Sequence, residues 1–202
     1  MNFAFLASCL LFCGVIYHAI SRSKSIEENS TKEYWLKEQR ANSVRKKSLD
    51  NLDYITIPDW LLSMTSTVSS ESVSKCIDEL KELSQAPIVN LTGISNTDLK
   101  LTYGTANITI LSQYDFQYTN MVRILQKLAE ELVTLNEKEL AVKVLEFSVS
   151  TRTDVSKTYY LLASLYDEAG TPEKKEFLIQ QAERLNSIMK DSIVRTLQAS
   201  GQ

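Results

Sequence analysis

Histidine, glycine, proline and cysteine are all scarce in this chain of 202 residues, which contains one His, five Gly, three Pro and three Cys. The single histidine, His18, lies in an apolar segment, so the rest of the chain cannot form a His-based catalytic triad or a His metal site. Scarce glycine and proline argue against a loop-rich or all-β protein and favour long helices. The sequence therefore predicts a mainly α fold.

The cysteines are too few and too unevenly placed for a disulfide framework. Cys9 and Cys13 lie in the apolar N-terminal segment, which leaves Cys76 alone in the remainder. Cys76 recurs at helical spacing with Ile77 and Leu80, which is typical of one buried helix face. We interpret Cys76 as a core residue.

Motifs that bind phosphates or metals are also missing from the sequence. It contains no glycine-rich phosphate loop, no paired-cysteine motif and no HExxH pattern. Acidic neighbours such as Glu130 and Glu131 point about 100° apart on a helix, which is typical of a solvated face. We therefore expect no enzyme activity, no cofactor, no metal site and no small-molecule substrate.

A strongly basic face is lacking as well, since the formal net charge is -3. This excludes nucleic acid as an expected partner. The charge is uneven, because residues 22–47 hold eight basic and four acidic side chains and residues 1–21 hold no Lys, Arg, Asp or Glu. The basic stretch is consistent either with the surface of an anionic membrane leaflet or with a solvated linker.

The N-terminal apolar segment, residues 3–20, predicts a transmembrane anchor. As a helix it would span about 27 Å, against roughly 30 Å of bilayer hydrocarbon. All nearby Lys and Arg follow the span, so a cytoplasmic domain on a single-pass membrane protein is expected. Two alternatives stay open: a lipoprotein signal, because Leu6–Cys9 resembles a lipobox, and a cleaved secretory signal.

Four regions are expected along the chain. They are an anchor at 1–21, a charged juxtamembrane stalk at 22–60, a helix plus short strands at 61–117, and helical hairpins with a capping helix at 118–202. The strand-like parts are residues 54–57, which Pro58 stops, and residues 86–113. An irregular segment that covers the end of the helical array is the alternative for 86–113.

The chain repeats itself from about Tyr118 onward with a fixed period and no gap. The matching pairs are Leu125 with Tyr159, Leu128 with Leu162, Ala129 with Ala163, Leu132 with Tyr166, Asn136 with Gly170, and Leu145 with Ile179. The apolar pairs form one helix face, and Asn136 and Gly170 are residue types that tolerate positive φ at a turn. Asn120 and Asp154 are candidate N-caps, and Thr171-Pro172 predicts the start of a second helix.

A 34-residue period with this pattern resembles the tetratricopeptide repeat over residues 118–186. The large, Leu, small, Tyr order of that family is supplied by Tyr159, Leu162, Ala163 and Tyr166. Its small residue in the second helix is present at Ala141, but Lys175 replaces it in the second copy. The later small position is Ala182, with Ser148 in the first copy. A last helix near residues 186–197 is expected to cap the stack.

The resemblance implies a concave surface that holds a protein or peptide partner. Carried over by the repeat period, its first-helix positions are Arg123, Gln126, Glu130, Lys157, Tyr160, Ser164 and Asp167. The expected function is therefore a membrane-tethered protein-interaction module. The alternatives are a structural subunit of a membrane complex without a peptide groove, an enzyme with an unrecognised site, and, for these residues alone, an ordinary wet helix surface.

Overall fold

The computed structural model describes Phe12, residues 15–18, Arg22 and residues 31–199, and regular structure in this part of the chain is helical. The helices are α1 (31–42), α2 (Asp59–Leu62), α3 (Glu71–Leu83), α4 (Asn96–Tyr103), α5 (Ile108–Thr134), α6 (Lys138–Ser150), α7 (Ser156–Glu168), α8 (Pro172–Glu183) and α9 (Lys190–Ala199). Short 3-10 turns cover Met64–Ser66 and Thr105–Asn107. The chain divides into two compact units, Met1–Lys47 with Asn96–Asn107, and Ser48–Ser95 with Ile108–Gln202.

In the first unit, polar side chains join α1 to α4. Glu38 accepts hydrogen bonds from Lys100 Nζ and from Thr97 Oγ1, the second at 2.6 Å. These bonds, Lys100 first, hold the pKa of Glu38 below its ordinary value. Gly104 ends α4 with φ of 89°, where a Cβ would lie 2.2 Å from the Arg45 carbonyl oxygen, so only glycine fits there. The unit is therefore held by specific polar contacts between segments that are distant in the sequence.

The second unit is a stack of antiparallel helices around one apolar core. Helix α3 packs on α5, α5 on α6, α6 on α7 and α7 on α8, while α9 packs on both α7 and α8. The buried face of α3 consists of Val73, Cys76, Ile77 and Leu80, at the i, i+3, i+4, i+7 spacing of an amphipathic helix. Cys76 is fully buried, which confirms its interpretation as a core residue, and burial raises the pKa of its thiol.

Two consecutive hairpins, α5–α6 and α7–α8, have equivalent boundaries. Their first helices end at Thr134 and Glu168, one repeat period apart, and their second helices begin at Lys138 and Pro172, which are separated by the same period. The predicted turn residues Asn136 and Gly170 have φ of 61° and 66°. This confirms the turn positions, and Pro172 is confirmed as the first residue of α8 with Thr171 at its N-cap.

The apolar stripe of the repeated segments is buried as the spacing predicts. Leu125, Leu128, Ala129 and Leu132 are all at 0% exposure. Their partners in the alignment of the two copies are also buried, at 0% to 6% exposure: Tyr159, Leu162, Ala163 and Tyr166.

Both N-cap predictions in the repeat are wrong. Helix α5 begins at Ile108, so Asn120 lies inside it, and α7 begins at Ser156 with Val155 at the N-cap in place of Asp154. The first hairpin therefore has a longer first helix than the repeat pattern indicates. The added turns of α5 contact the segment before α4, where the Leu91 N–H donates to Asp115 Oδ1 at 3.0 Å. The capping helix also begins later than expected, at Lys190.

The expectation of short strands within 61–117 is wrong. Residues Asn96–Tyr103 form α4, and the apolar run after Asn107 is the start of α5. The only β contact in the described residues is an isolated antiparallel bridge between Tyr54 and Val89. Threonine and β-branched residues raise strand propensity in this segment, but packing of an amphipathic face overrides so weak a preference.

The expectation of a membrane-spanning helix is also wrong for the described residues, among which no helix is long and apolar enough to cross a bilayer. Charged side chains such as Lys32, Glu33 and Lys37 interrupt α1. Most of the predicted span 3–20, including Leu6–Cys9, lies outside the described residues. The transmembrane helix in the fold class and the single-pass membrane localisation with a cytoplasmic domain are therefore not retained.

Candidate partner-binding surface

Three of the sequence-predicted binding residues lie together, where they join α5 to α7. Gln126 Nε2 donates a hydrogen bond to Glu130 Oε1 at 2.6 Å, and Lys157 Nζ forms an ion pair with the same oxygen at 2.8 Å. Thr158 Oγ1, which is fully buried, donates to Gln126 Oε1 at 2.8 Å. Partial burial raises the pKa of Glu130, but the bonds from Lys157 and Gln126 outweigh it and lower that pKa overall. These side chains connect neighbouring helices to each other.

The other predicted residues are dispersed along the α5/α7 face. Tyr160 donates a 3.3 Å hydrogen bond to Thr196 of α9, and Asp167 pairs with Lys175 of α8 at 2.7 Å. Ser164 is exposed. Arg123 and Gln126 line a shallow hollow of about 290 Å³ beside Tyr118. The structure thus places these positions on one side of the stack, with most of their polar groups already hydrogen-bonded.

A larger apolar groove runs between α6 and α8, above α7. Its volume is about 420 Å³, and the residues that line it are Glu146, Val149, Ser150, Leu162, Tyr166, Glu173, Lys174, Phe177, Leu178 and Gln181. We call it the α6/α8 groove. Phe177 at its edge is 61% exposed, a high value for a phenylalanine side chain in a folded chain. Leu162 and Tyr166 form its floor, on the opposite side of α7 from Tyr160 and Ser164, because residues two apart on a helix point about 200° apart.

One end of the α6/α8 groove has a polar network around a single carboxylate. Glu146 Oε1 accepts a hydrogen bond from Tyr166 Oη at 2.8 Å and an ion pair from Lys174 Nζ at 3.1 Å. The Lys174 ammonium also lies 5.3 Å from the centre of the Tyr166 ring, within cation–π range. Burial, and secondarily the Glu146 carboxylate, raises the pKa of the Tyr166 phenol. This network fixes the Tyr166 ring in the floor of the groove.

A second hollow, lined by both polar and apolar side chains, lies on the other side of α6. Its volume is about 710 Å³, and it shares Glu146 and Ser150 with the α6/α8 groove and reaches Phe147, Met64 and Trp60. Trp60 is 42% exposed. Side chains of α6 thus form a ridge between two depressions, each with an exposed aromatic ring on its outer side, Trp60 or Phe177.

The sequence reasoning missed the α6/α8 groove, although one signal for it was available. In the alignment of the two copies Phe177 matches Lys143, so a large apolar residue occupies a position that is charged in the first copy. A phenylalanine outside the buried stripe of its helix indicates a contact surface only where it belongs to a larger apolar patch, as Phe177 does beside the groove. No cluster of three or more potential metal ligands occurs within the described part of the chain.

Comparisons with known proteins identified no relative of this chain. No protein-family model matches the chain, and neither a curated protein nor a solved structure matches it. The class of protein therefore rests on the helical hairpins and their surfaces alone.

Proposed function

We propose that this chain is a protein-interaction module whose α6/α8 groove holds apolar side chains of a partner helix or peptide. The observation that carries the proposal is the groove itself, with Val149, Leu162 and Leu178 among its lining residues and the Phe177 ring exposed at its edge. Exposed aromatic rings beside apolar pockets are characteristic anchors of protein interfaces. A partner that fills the groove would remove this surface from water.

The architecture of the second unit supports an interaction module of the tetratricopeptide type. Its hairpins have equivalent helix ends one repeat period apart, and α9 packs on α7 and α8 as the first helix of a further repeat would. Stacked helical hairpins leave grooves between successive helices, which proteins of this architecture use to bind partners. The resemblance would place the partner on the α5/α7 face, whereas the apolar lining favours the α6/α8 groove.

The α5/α7 face is the second candidate surface of the same module. Its favourable feature is the 290 Å³ hollow beside Arg123 and Gln126. Its disadvantage is that Gln126, Glu130 and Lys157 already satisfy one another. A partner that binds this face would have to break these internal contacts. Each contact contributes about 0.5–1.5 kcal/mol to stability, and the partner would have to compensate for that loss.

The test is co-purification of a partner with two matched variants. Phe177→Ser removes the ring at the edge of the α6/α8 groove, and Phe116→Ser makes the same change on α5 outside the groove. The two side chains are similarly exposed, at 61% and 64%, so both variants should keep the thermal stability of the parent chain. A partner that is lost with Phe177→Ser and kept with Phe116→Ser supports the proposal.

A second pair of variants separates the two faces. Lys157→Glu combined with Tyr160→Ala alters the α5/α7 face, and Lys174→Glu removes the ion pair to Glu146 at the α6/α8 groove. We expect the partner to be lost with Lys174→Glu and retained with the double variant. The reverse pattern assigns the partner to the α5/α7 face, and retention with both variants contradicts an interaction through either face.

A further inference from the structure

A small pocket with both polar and apolar lining lies where four separate segments of the second unit meet. Its volume is about 210 Å³, and its polar lining includes Asp53, Asn90, Thr92, Arg152, Arg184 and Ser187. Arg152 follows the end of α6, and Arg184 follows the end of α8. Two turns between helices, the loop after Val89 and the segment that holds Asp53 therefore each contribute polar groups to one concave site.

Hydrogen bonds of the Asn90 and Asn186 side-chain amides hold the segments around this pocket together. Asn90 Nδ2 donates to the Thr151 carbonyl at 2.9 Å and to the Arg152 carbonyl at 3.1 Å, and its Oδ1 accepts from the Thr92 N–H at 2.9 Å. On the other side, Asn186 Nδ2 donates to the Gly93 carbonyl at 3.1 Å. Gly93 has φ of 78°, and a Cβ there would lie 1.8 Å from the Asn186 carbonyl oxygen. The pocket is thus preformed, and its loop approaches the α8–α9 turn too closely for any residue but glycine.

The charged side chains of the pocket, in contrast, are exposed and have no protein partner among the described residues. Neither the Arg152 nor the Arg184 guanidinium has an ion pair or hydrogen bond to any residue in the described ranges, and the same holds for the Asp53 carboxylate. Two guanidinium groups and one carboxylate give the pocket a net charge of +1. A guanidinium group binds a carboxylate through two parallel N–H bonds, so both arginines are available for an acidic group.

The backbone at Arg152 has the left-handed conformation that commonly ends a helix, and its N–H donates to the Val149 carbonyl of α6 at 2.9 Å. Arg152 has φ of 60°, and the only other non-glycine residue with positive φ in the described part of the chain is Asn136. Asparagine adopts this conformation readily, but arginine does so at a cost in conformational free energy. The positive φ therefore belongs to the turn after α6, and a glycine at this position would relieve its cost.

From these observations we propose that the pocket binds a molecule of amino-acid size that bears both a carboxylate and an ammonium group. The carboxylate pairs with Arg152 and Arg184, and the ammonium group pairs with Asp53. The volume is below the roughly 300–1,000 Å³ of sites for drug-sized ligands, which suits a compact zwitterion. The pocket is separate from the α6/α8 groove, so this proposal is tested independently of the proposed partner site.

The experiment is an amide NMR titration of the full chain with four probes: L-alanine, acetate, methylamine and inorganic phosphate. We expect saturable shifts at Thr92, Gly93 and Ser187 with L-alanine, with a dissociation constant on the order of 1 mM. Acetate should bind more weakly than L-alanine, and methylamine should not bind saturably. Absence of saturable binding by L-alanine contradicts the proposal, and tighter binding of phosphate than of L-alanine contradicts the zwitterion assignment.

Arg152→Gly is the decisive variant, because glycine tolerates the positive φ and removes the guanidinium. It should keep or raise the melting temperature and weaken L-alanine binding by at least about tenfold, the loss expected for a hydrogen bond to a charged group. Asn136→Gly, which makes the same backbone change away from the pocket, should leave binding unchanged. Equal binding by the parent chain and Arg152→Gly would overturn the assignment, as would equal weakening in Asn136→Gly.

Discussion

Asn136 and Gly170 occupy the same position in two consecutive helical hairpins, with φ of 61° and 66°. The Asn136 N–H donates to the Val133 carbonyl at 3.0 Å, and the Gly170 N–H donates to the Asp167 carbonyl at 3.2 Å. In each hairpin the next residue donates to a carbonyl further back in the first helix, at 2.8 Å in the first hairpin and 3.0 Å in the second. This is the Schellman ending of a helix, and here it occurs twice with the same spacing.

The first prediction tests this ending. Asn136→Gly should stabilise the chain by about 0.5 kcal/mol, and Gly170→Ala should destabilise it by about 1 kcal/mol, because only glycine adopts positive φ without steric cost. A Cβ at Gly170 would meet no atom within 4 Å, so the loss comes from the backbone alone. Urea unfolding of both variants measures the two effects. Destabilisation by Asn136→Gly would show that the asparagine side chain stabilises the turn by another route.

The second prediction concerns the equivalent positions Ser148 and Ala182, which are 1% and 0% exposed. Ser148 Oγ is buried without a hydrogen-bond partner among the described residues, whereas the second hairpin has a methyl group at this place. Ser148→Ala should therefore stabilise the chain by about 1 kcal/mol, since it removes an unsatisfied polar group. The converse change, Ala182→Ser, should destabilise it by a similar amount. Thermal unfolding measures both, and a loss of stability in Ser148→Ala would contradict the alignment of the two hairpins.

The predictions from sequence agree best with the structure where one repeated pattern specifies both the buried face of a helix and the turn that follows it. Leu125, Ala129 and Asn136 were placed correctly because their partners one repeat period later have the same environment. The start of α5 at Ile108 could not be predicted in this way. Its first turns have no counterpart in the repeat, and they contact Val89 and Leu91, which are distant in the sequence and which local propensity does not report.

The pocket at Asn90, Arg152 and Arg184 could not be predicted from the sequence for a different reason. Asn90, Arg152 and Arg184 lie in three segments that only the folded chain brings together, and none belongs to a recognisable motif. The α5/α7 residues were identifiable by their spacing. Their mutual hydrogen bonds were not, because pairing depends on the relative positions of neighbouring helices.

The third prediction tests packing between paired helices. Ala163 is 3% exposed, so Ala163→Leu should overpack the contact and cost about 1–3 kcal/mol. Ala169→Leu makes the same change at the exposed end of α7 and should cost little. Urea unfolding of the two variants compares them directly. Equal stability of both would mean that the interior around Ala163 can accommodate a larger side chain.

The fourth prediction is a pH dependence that arises from Tyr118. Burial raises the pKa of Tyr118 to about 12, against about 10 for an unfolded tyrosine. The unfolded chain therefore loses this proton first, and the contribution of Tyr118, complete below pH of about 10, disappears as the pH rises through about 12. Tyr118→Phe should reduce the loss of stability over this range.

The same variant should lower stability by about 1 kcal/mol at pH 8, because the Tyr118 hydroxyl donates to the Thr151 carbonyl at 3.2 Å and accepts from Asn90 Nδ2 at 3.1 Å. Tyr34→Phe, at a side chain that is 56% exposed, is the control for the chemical change. Chemical unfolding from pH 8 to pH 12 measures both effects. An identical pH profile for the parent chain and Tyr118→Phe would contradict the linkage.

The most direct test of the proposed function is hydrogen exchange of the full chain alone and with its co-purified partner. We expect slower exchange in α8 and in the second half of α6 when the partner is bound, because these segments border the groove between Val149 and Phe177. We expect no such change in α5 near Arg123. Slower exchange confined to the α5/α7 face, or no change in α6 and α8, would contradict the assignment of the α6/α8 groove as the partner site.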